Sequence, residues 1–234
     1  MSGSHGIKLR VFRNEPHPCP YFSDRLATEI FFAAAQLDDA VYEELMNHRF
    51  RRSGPIVYQP DCETCQACVP IRVPVAGFRP SKSQRRAWLR NADVRVEIAP
   101  PVCDDARLDL LNRYETVVHQ RTGSKSRPEY ESAFGCSPLT TLEMSYWLAD
   151  QLVGVGIVDV TPRTLSSVYF FYEPELSRRS LGVFSALREI EECRQRGLKF
   201  WYIGFHVAGC AKMTYKSTFR PHELLVDGVW RPGG

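Results

Sequence analysis

The sequence predicts a mixed α/β protein of the α+β kind, and three observations predict it. An aromatic, β-favouring run, SSVYFFYEP, fills Ser166 to Pro174 and ends on a carboxylate and a proline. From Arg178 to Phe200, Phe184, Leu187 and Ile190 recur at helical spacing, with Ser180 placed to cap the helix and Gly197 to stop it. A second β run, WYIGF, then follows from Trp201 to Phe205. Strand, helix, strand is a βαβ unit, whose right-handed crossover sets two buried strands parallel. Glu173 after the first strand and Lys212, Tyr215 and Lys216 after the second then fall at the strands' C-terminal ends, where open α/β sheets bind ligands.

The composition is that of an ordinary globular chain. Its 234 residues have room for one large or two small domains, and they are 44% hydrophobic and 24% charged. A net charge of +3 does not by itself call for a nucleic-acid partner, so the clustering of the cations matters more than their sum. No apolar run approaches the roughly 20 residues that span a bilayer. The opening MSGSHGIKLR lacks the apolar centre of a signal peptide, and a cytoplasmic location is expected. In that compartment eight cysteines read as free thiols or metal ligands rather than disulfides.

In chain order, HPCPYF (His17 to Phe22) presents Cys19 on a proline-stiffened turn. The apolar run IFFAAAQL and the helically spaced VYEELM flank Asp38 and Asp39, and a Ser-Gly-Pro turn leads into a short strand before Pro60. DCETCQACVPIRV sets Cys62, Cys65 and Cys68 at two successive x2 spacings. The following RVPVAGF reads as an edge strand, because Pro74 cannot donate to a ladder. A basic run, SKSQRRAWLRN, precedes the alternating strand VRVEI (Val94 to Ile98). The Pro100-Pro101 pair marks a boundary, dividing a cysteine-bearing N-terminal domain (1–101) from a second domain (102–234). That second domain opens with a helix carrying Leu108, Leu111, Tyr114 and Val118, then a hairpin turning at Asp150-Gln151. Helix, hairpin, strand, helix, strand is the element order of a GCN5-related acyltransferase, an analogy of fold that assigns no function.

Five motifs in one order carry a closer likeness. They are Cys19-Pro-Tyr21; Cys62-x2-Cys65-x2-Cys68-x-Pro70; Ser81-x-Ser83-Gln-Arg-Arg86; Ser167-x-Tyr169-Phe-x-Tyr-Glu173-Pro174; and Cys210-x-Lys-Met-x-Tyr-Lys216. Together they resemble the aminoacyl-tRNA–protein transferases, most closely the bacterial branch, the aspartate/glutamate leucyltransferases. The resemblance runs from about Cys19 to Trp230. It implies transfer of leucine from leucyl-tRNA to the α-amine of proteins beginning with Asp or Glu, marking them for N-degron degradation. It also implies a GCN5-like transferase domain behind a smaller cysteine-bearing one, with neither membrane nor DNA as a partner.

The residues can be matched to that chemistry. An aminoacyl ester is already activated, so its aminolysis needs positioning and a proton acceptor and no cofactor. Glu173 is the expected acceptor, with Tyr172 and Tyr169 as donors to the ester oxygen or platforms for the terminal adenosine. An acidic acceptor calls for cations. Arg51, Arg52, Arg72, Lys82, Arg85 and Arg86 are the candidates, the last three also serving tRNA phosphate contact. Lys212, Tyr215 and Lys216 suit a nucleotide end. Cys19, Cys62, Cys65 and Cys68 have the donor set of a structural zinc site. Their spacing also resembles an iron–sulfur run, with Arg72 where a fourth cysteine would stand. Cys210 reads as a pocket wall.

Three alternatives stay open: an arginyl-tRNA donor, for which Glu173 is the obvious partner; a GCN5-like N-acetyltransferase; and a non-enzymatic RNA-binding module. The single glycine in Arg178-Arg179-Ser180-Leu181-Gly182 argues against coenzyme A, whose pyrophosphate is usually met by a glycine-rich turn at a helix N-terminus.

Overall fold

The computed structural model describes residues 10–233. Its N-terminal part carries β1 (Phe12–Arg13), β2 (His17–Pro18), β3 (Leu26–Ala27), β4 (Glu29–Ala33), α1 (Asp39–Asn47), β5 (Arg51–Ser53) and β6 (Ile56–Pro60). Strands β1, β4, β6 and β5 form a four-stranded antiparallel sheet in that order, and β2 pairs with β3. The apolar run at Ile30 is thus strand β4. Helix α1 begins only where the Asp38 carboxylate accepts from the amides of Ala40 (2.8 Å) and Val41 (3.1 Å).

Next come β7 (Cys68–Pro74), α2 (Lys82–Arg90), β8 (Val94–Ala99), α3 (Asp105–His119), α4 (Arg127–Tyr130), β9 (Thr141–Leu148), β10 (Gln151–Val160) and β11 (Thr164–Tyr172). The chain closes with α5 (Leu181–Gln195), β12 (Phe200–Val207), β13 (Glu223–Val226) and β14 (Val229–Pro232). Eight of these strands form the main sheet, in the order β14-β13-β7-β12-β11-β10-β9-β8. Only β11 and β12 are parallel, the pair that α5 joins, as the βαβ pattern predicts. Phe184, Leu187 and Ile190 are buried against the sheet, and Gly197 ends the α5 segment at φ 70°. On the other face, Leu110, Leu111 and Tyr114 of α3 pack with Phe134, Val155, Ile157 and Phe171.

Four expectations change. Ser180 precedes α5 in a left-handed conformation (φ 59°) and makes no side-chain cap. The β9–β10 turn falls one residue early, at Ala149-Asp150, because Gln151 already pairs with Leu148. Strand β7 is internal, between β12 and β13. It tolerates two prolines because β13 pairs only with Ile71 and Arg72, leaving Pro70 and Pro74 outside that ladder. The main sheet also draws β7 and β8 from before Pro100-Pro101 and the rest from after it, so it runs continuously across that point. Among the described residues no helix is long and apolar enough to cross a membrane.

Candidate active site

Parallel pairing of β11 with β12 lasts for Thr164–Ser166 against Phe200–Tyr202 and then stops. Each strand carries an extra residue just beyond. On β11, Val168 is skipped between the pairs Ser167↔Val158 and Tyr169↔Ile157. On β12, the register against β7 slips between Tyr202 and Phe205, where Gly204 stands at φ 93°. Bulges bend a strand and interrupt its ladder. Two of them on neighbouring strands part the sheet, and the parting opens into a cavity of about 1400 Å³.

The cavity wall has an aromatic side and a charged side. Tyr172 of β11 lies 5.1 Å from the ring of Tyr114, and Tyr169 stacks on Phe134 at 5.5 Å. Both β11 tyrosines line the cavity, and burial pushes the Tyr169 hydroxyl up to about 12, keeping it a neutral donor. Phe170, Leu181, Ala186 and Ile203 add apolar surface.

On the charged side stand two buried cations. Arg51 donates from Nη2 to the carbonyl oxygen of Ser167 at 2.6 Å, and Lys216 donates from Nζ to that of Phe205 at 2.9 Å. Neither meets a carboxylate among the described residues. Burial pulls Lys216 down to about 8, and the neighbouring charge of Arg51 adds to that pull. Gly204 lies beneath Lys216, where its φ of 93° disfavours any side chain and a Cβ would stand 3.2 Å from Nζ. Lys212 and a half-exposed Tyr215 stand at the rim with Arg121 and Lys125.

The same wall holds a carboxylate that sequence reasoning missed. Glu189 of α5 is 4% exposed and accepts from Trp201 Nε1 (2.7 Å), Ser185 Oγ (3.4 Å) and Ser167 Oγ. Among the described residues no Arg, Lys or His reaches it. Burial pushes it up to about 7, against three neutral hydrogen bonds that pull the other way. In REIEECRQR it reads as one more solvated helix charge. The available signal was Ser185, one turn earlier on a face otherwise apolar.

The remaining expected residues lie outside the cavity or are engaged with other partners. Glu173 is buried, but its carboxylate accepts from Arg113 Nε (3.1 Å) and Nη2 (2.9 Å) in a small separate hollow beside Val117 and Pro174. Arg52 borders the cavity yet is wholly engaged, bidentate to Asp159 with both side chains fully buried. Arg72 pairs with Glu223 at 2.6 Å and is sandwiched between the rings of Phe200 (3.7 Å) and Trp230 (4.1 Å). Lys82, Arg85 and Arg86 are exposed on α2, away from the cavity. Cys210 is buried against Phe205 and Val207.

The four N-terminal cysteines do not assemble a metal cage. Cys65 accepts from Arg25 Nη1 (3.3 Å), Cys62 donates to the carbonyl of Thr28 (3.8 Å), and Cys68 is half-buried, its desolvation pushing the thiol up to about 12. Among the described residues no group of three or more His, Cys, Asp or Glu side chains is placed to hold an ion. These thiols line the outer part of the cavity.

A sheet parted between two parallel strands, with a βαβ helix beside the gap, defines an acyltransferase fold of the GCN5-related type. Solved structures agree on the fold. FemX superposes with a TM-score of 0.52 at 6% identity, covering 85% of this chain and 69% of that one. L-PGS from Bacillus licheniformis superposes with a TM-score of 0.51 at 11% identity, covering 86% and 66%. Within that fold, residues 17–86 match the family description "Arginine-tRNA-protein transferase, N terminus" and residues 106–226 match "Arginine-tRNA-protein transferase, C terminus". The chain belongs to that family and is an aminoacyltransferase, with an aminoacyl-tRNA and a protein as its substrates. It is 38% identical to the aspartate/glutamate leucyltransferase of Pseudomonas putida (strain W619), across 95% of this chain and 96% of that protein. It is 40% identical to the one from Pseudomonas fluorescens (strain SBW25), with the same coverage.

Proposed function

We propose that this protein transfers leucine from leucyl-tRNA to the α-amine of proteins beginning with Asp or Glu, in the cytoplasm, and so marks them for N-degron degradation. The observation that carries the reading is the two-sided cavity. An apolar wall of Phe170, Leu181, Ala186 and Ile203 suits a leucyl side chain, and two buried cations without carboxylate partners, Arg51 and Lys216, suit an acidic one. A buried cation left unpaired is unfavourable in the empty protein, and a carboxylate entering beside it offsets that. Tyr169 and Tyr172 line the cavity as donors for the ester oxygen, and Lys212, Tyr215, Arg121 and Lys125 offer a basic-aromatic rim to the 3′ end of tRNA. The exposed Lys82, Arg85 and Arg86 give α2 a face for acceptor-arm phosphates.

A transfer assay tests both halves. Purified protein is given leucyl-tRNA or arginyl-tRNA, with peptides beginning Asp, Glu, Asn or Gln. The expected product is leucyl-Asp or leucyl-Glu peptide, with the amide-bearing acceptors weaker by roughly 10- to 150-fold, the worth of a charge-assisted hydrogen bond. Arginine on the peptide reassigns the apolar wall, and equal use of Asp and Asn removes Arg51 and Lys216 from acceptor recognition. In the Lys216→Met variant the Asp-over-Asn preference should shrink, while affinity for leucyl-tRNA holds.

A further inference from the structure

We infer that Glu189 is the catalytic base of the transfer, receiving a proton from the acceptor's α-ammonium group. The inference deepens the reading just given and rests on it for the identity of the acceptor.

Glu189 lies in the wall of the cavity where the sheet has parted, on the helix that spans the two parted strands. Its three donors come from both of those strands and from its own helix, through Ser167 of β11, Trp201 of β12 and Ser185 of α5. They fix the carboxylate without neutralising it. A latch between helix and sheet would be served as well by a glutamine, which needs no ionisable group. A buried carboxylate with only neutral partners is the arrangement that makes a base stronger near neutral pH.

Glu189 is also linked to the cations. Ser167 gives its hydroxyl to Glu189 and receives the Arg51 guanidinium on its carbonyl oxygen. The carboxylate and the buried cation are therefore anchored on the same residue, one on its side chain and the other on its backbone. An N-terminal Asp or Glu likewise carries an ammonium group and a side-chain carboxylate on one residue, in opposite sign. Set with its acid toward Arg51 and Lys216, such an end group brings its amine to Glu189.

The groups facing Glu189 from the elements packed around it are Tyr146 of β9, Cys193 of α5 and Tyr215 of the segment after β12. All three are neutral at physiological pH. Burial carries Glu189 itself to about 7, just under the roughly 7.7–8.0 of a free α-amine. In the step proposed, the α-ammonium gives one proton to the Glu189 carboxylate. The freed amine lone pair forms the new C–N bond at the leucyl carbonyl carbon as the C–O bond to the terminal ribose breaks. The nitrogen's surplus proton goes to the departing ribose oxygen, and Glu189 returns its own proton to solvent. Nothing is oxidised, and no co-reactant is needed.

The test is the pH profile of kcat/KM for an Asp-initiated peptide at saturating leucyl-tRNA, with arginyl-tRNA as the second donor. In the wild type the rate should climb tenfold per pH unit up to about 7. Glu189→Gln should lower it about 10²- to 10⁴-fold, the usual worth of a general base. Its residual rate should follow the acceptor's own amine ionisation. Ser167→Ala, which takes one hydrogen bond from the carboxylate, should move the limb to higher pH, a readout that a structural role would leave still. Folding of each variant is checked by thermal melting. A Glu189→Gln enzyme within threefold of the wild type, or with the limb intact, overturns the inference. So does a variant that loses leucyl-tRNA affinity instead of turnover, since the carboxylate would then serve the donor's ammonium. Transfer from arginyl-tRNA alone overturns the donor assignment while the Glu189 limb is read on that donor; no transfer from either overturns both.

Discussion

Replacing Glu189 by glutamine should make the protein more stable at alkaline pH, and the amount can be worked from its surroundings. In the unfolded chain the carboxyl titrates near 4.5, and in the folded protein near 7. The folded state therefore holds the proton more tightly, and the stabilisation this gives is fully present below about 4.5. It is lost as pH rises through about 7, because the native state must then carry an ionised carboxylate without a cation. At about 1.4 kcal/mol per unit, the whole shift is worth about 3 kcal/mol. Glutamine keeps the shape and the bonds, its oxygen accepting from Ser167 and Trp201 and its amide facing Ser185. It does not titrate. At pH 8 the variant should thus be up to about 3 kcal/mol more stable, a rise in Tm of roughly 6–12 °C for a chain of this size. About half of that should remain at pH 5.5, and almost none below 4.5. Urea unfolding of both proteins at several pH values measures it. A gain that is the same at every pH, or a loss at pH 8, would refute the reasoning that the buried carboxylate is ionised at the expense of stability.

Other expectations follow from residues whose roles differ from that one. Arg52→Ala strands the Asp159 carboxylate in a site with no solvent access, and unfolding free energy should fall by about 3–5 kcal/mol, measured in urea. Replacing Arg85 and Arg86 together by Ala leaves buried contacts untouched, so Tm should hold within a few degrees. Affinity for leucyl-tRNA should fall, with a slope of log K against log salt shallower by about 1.5, and an unchanged slope would make α2 a plain solvated face. Among the N-terminal thiols, Cys65 should be alkylated first. The amide of Ala67 and the guanidinium of Arg25 pull its pKa below the ordinary value, whereas burial raises Cys68 to about 12; peptide mapping after brief iodoacetamide treatment reads the order.

What the sequence disclosed, and what it withheld, follows from the range of the interactions involved. The β11–α5–β12 unit was legible because periodicity is a local property: Phe184, Leu187 and Ile190 mark a helix face without reference to anything distant. The cavity's aromatic tyrosines were legible for the same reason, since Tyr169 and Tyr172 stand on a recognisable strand. Pairing across the fold was not. Arg52 and Asp159 are 107 residues apart, and nothing in Phe50-Arg51-Arg52-Ser53 tells which guanidinium turns inward to a carboxylate and which meets only a carbonyl oxygen beside the cavity. The two differ only by the alternation of a three-residue strand, whose register depends on β6. Glu173 illustrates the converse: its place after a strand suggested a base, but Arg113, 60 residues away, takes its carboxylate. Glu189 was hidden by its neighbours, because a glutamate in an REIEEC helix is normally solvated, and only the arrival of Ser167 and Trp201 from two separated strands makes it a buried acid. The bulges at Val168 and Gly204 complete the point. Each is a local irregularity of one residue, yet the site exists only because the two occur on adjacent strands at the same height of the sheet. Chemistry in this protein therefore depends on coincidences of register, which a one-dimensional pattern does not record and a single insertion in β11 or β12 should abolish.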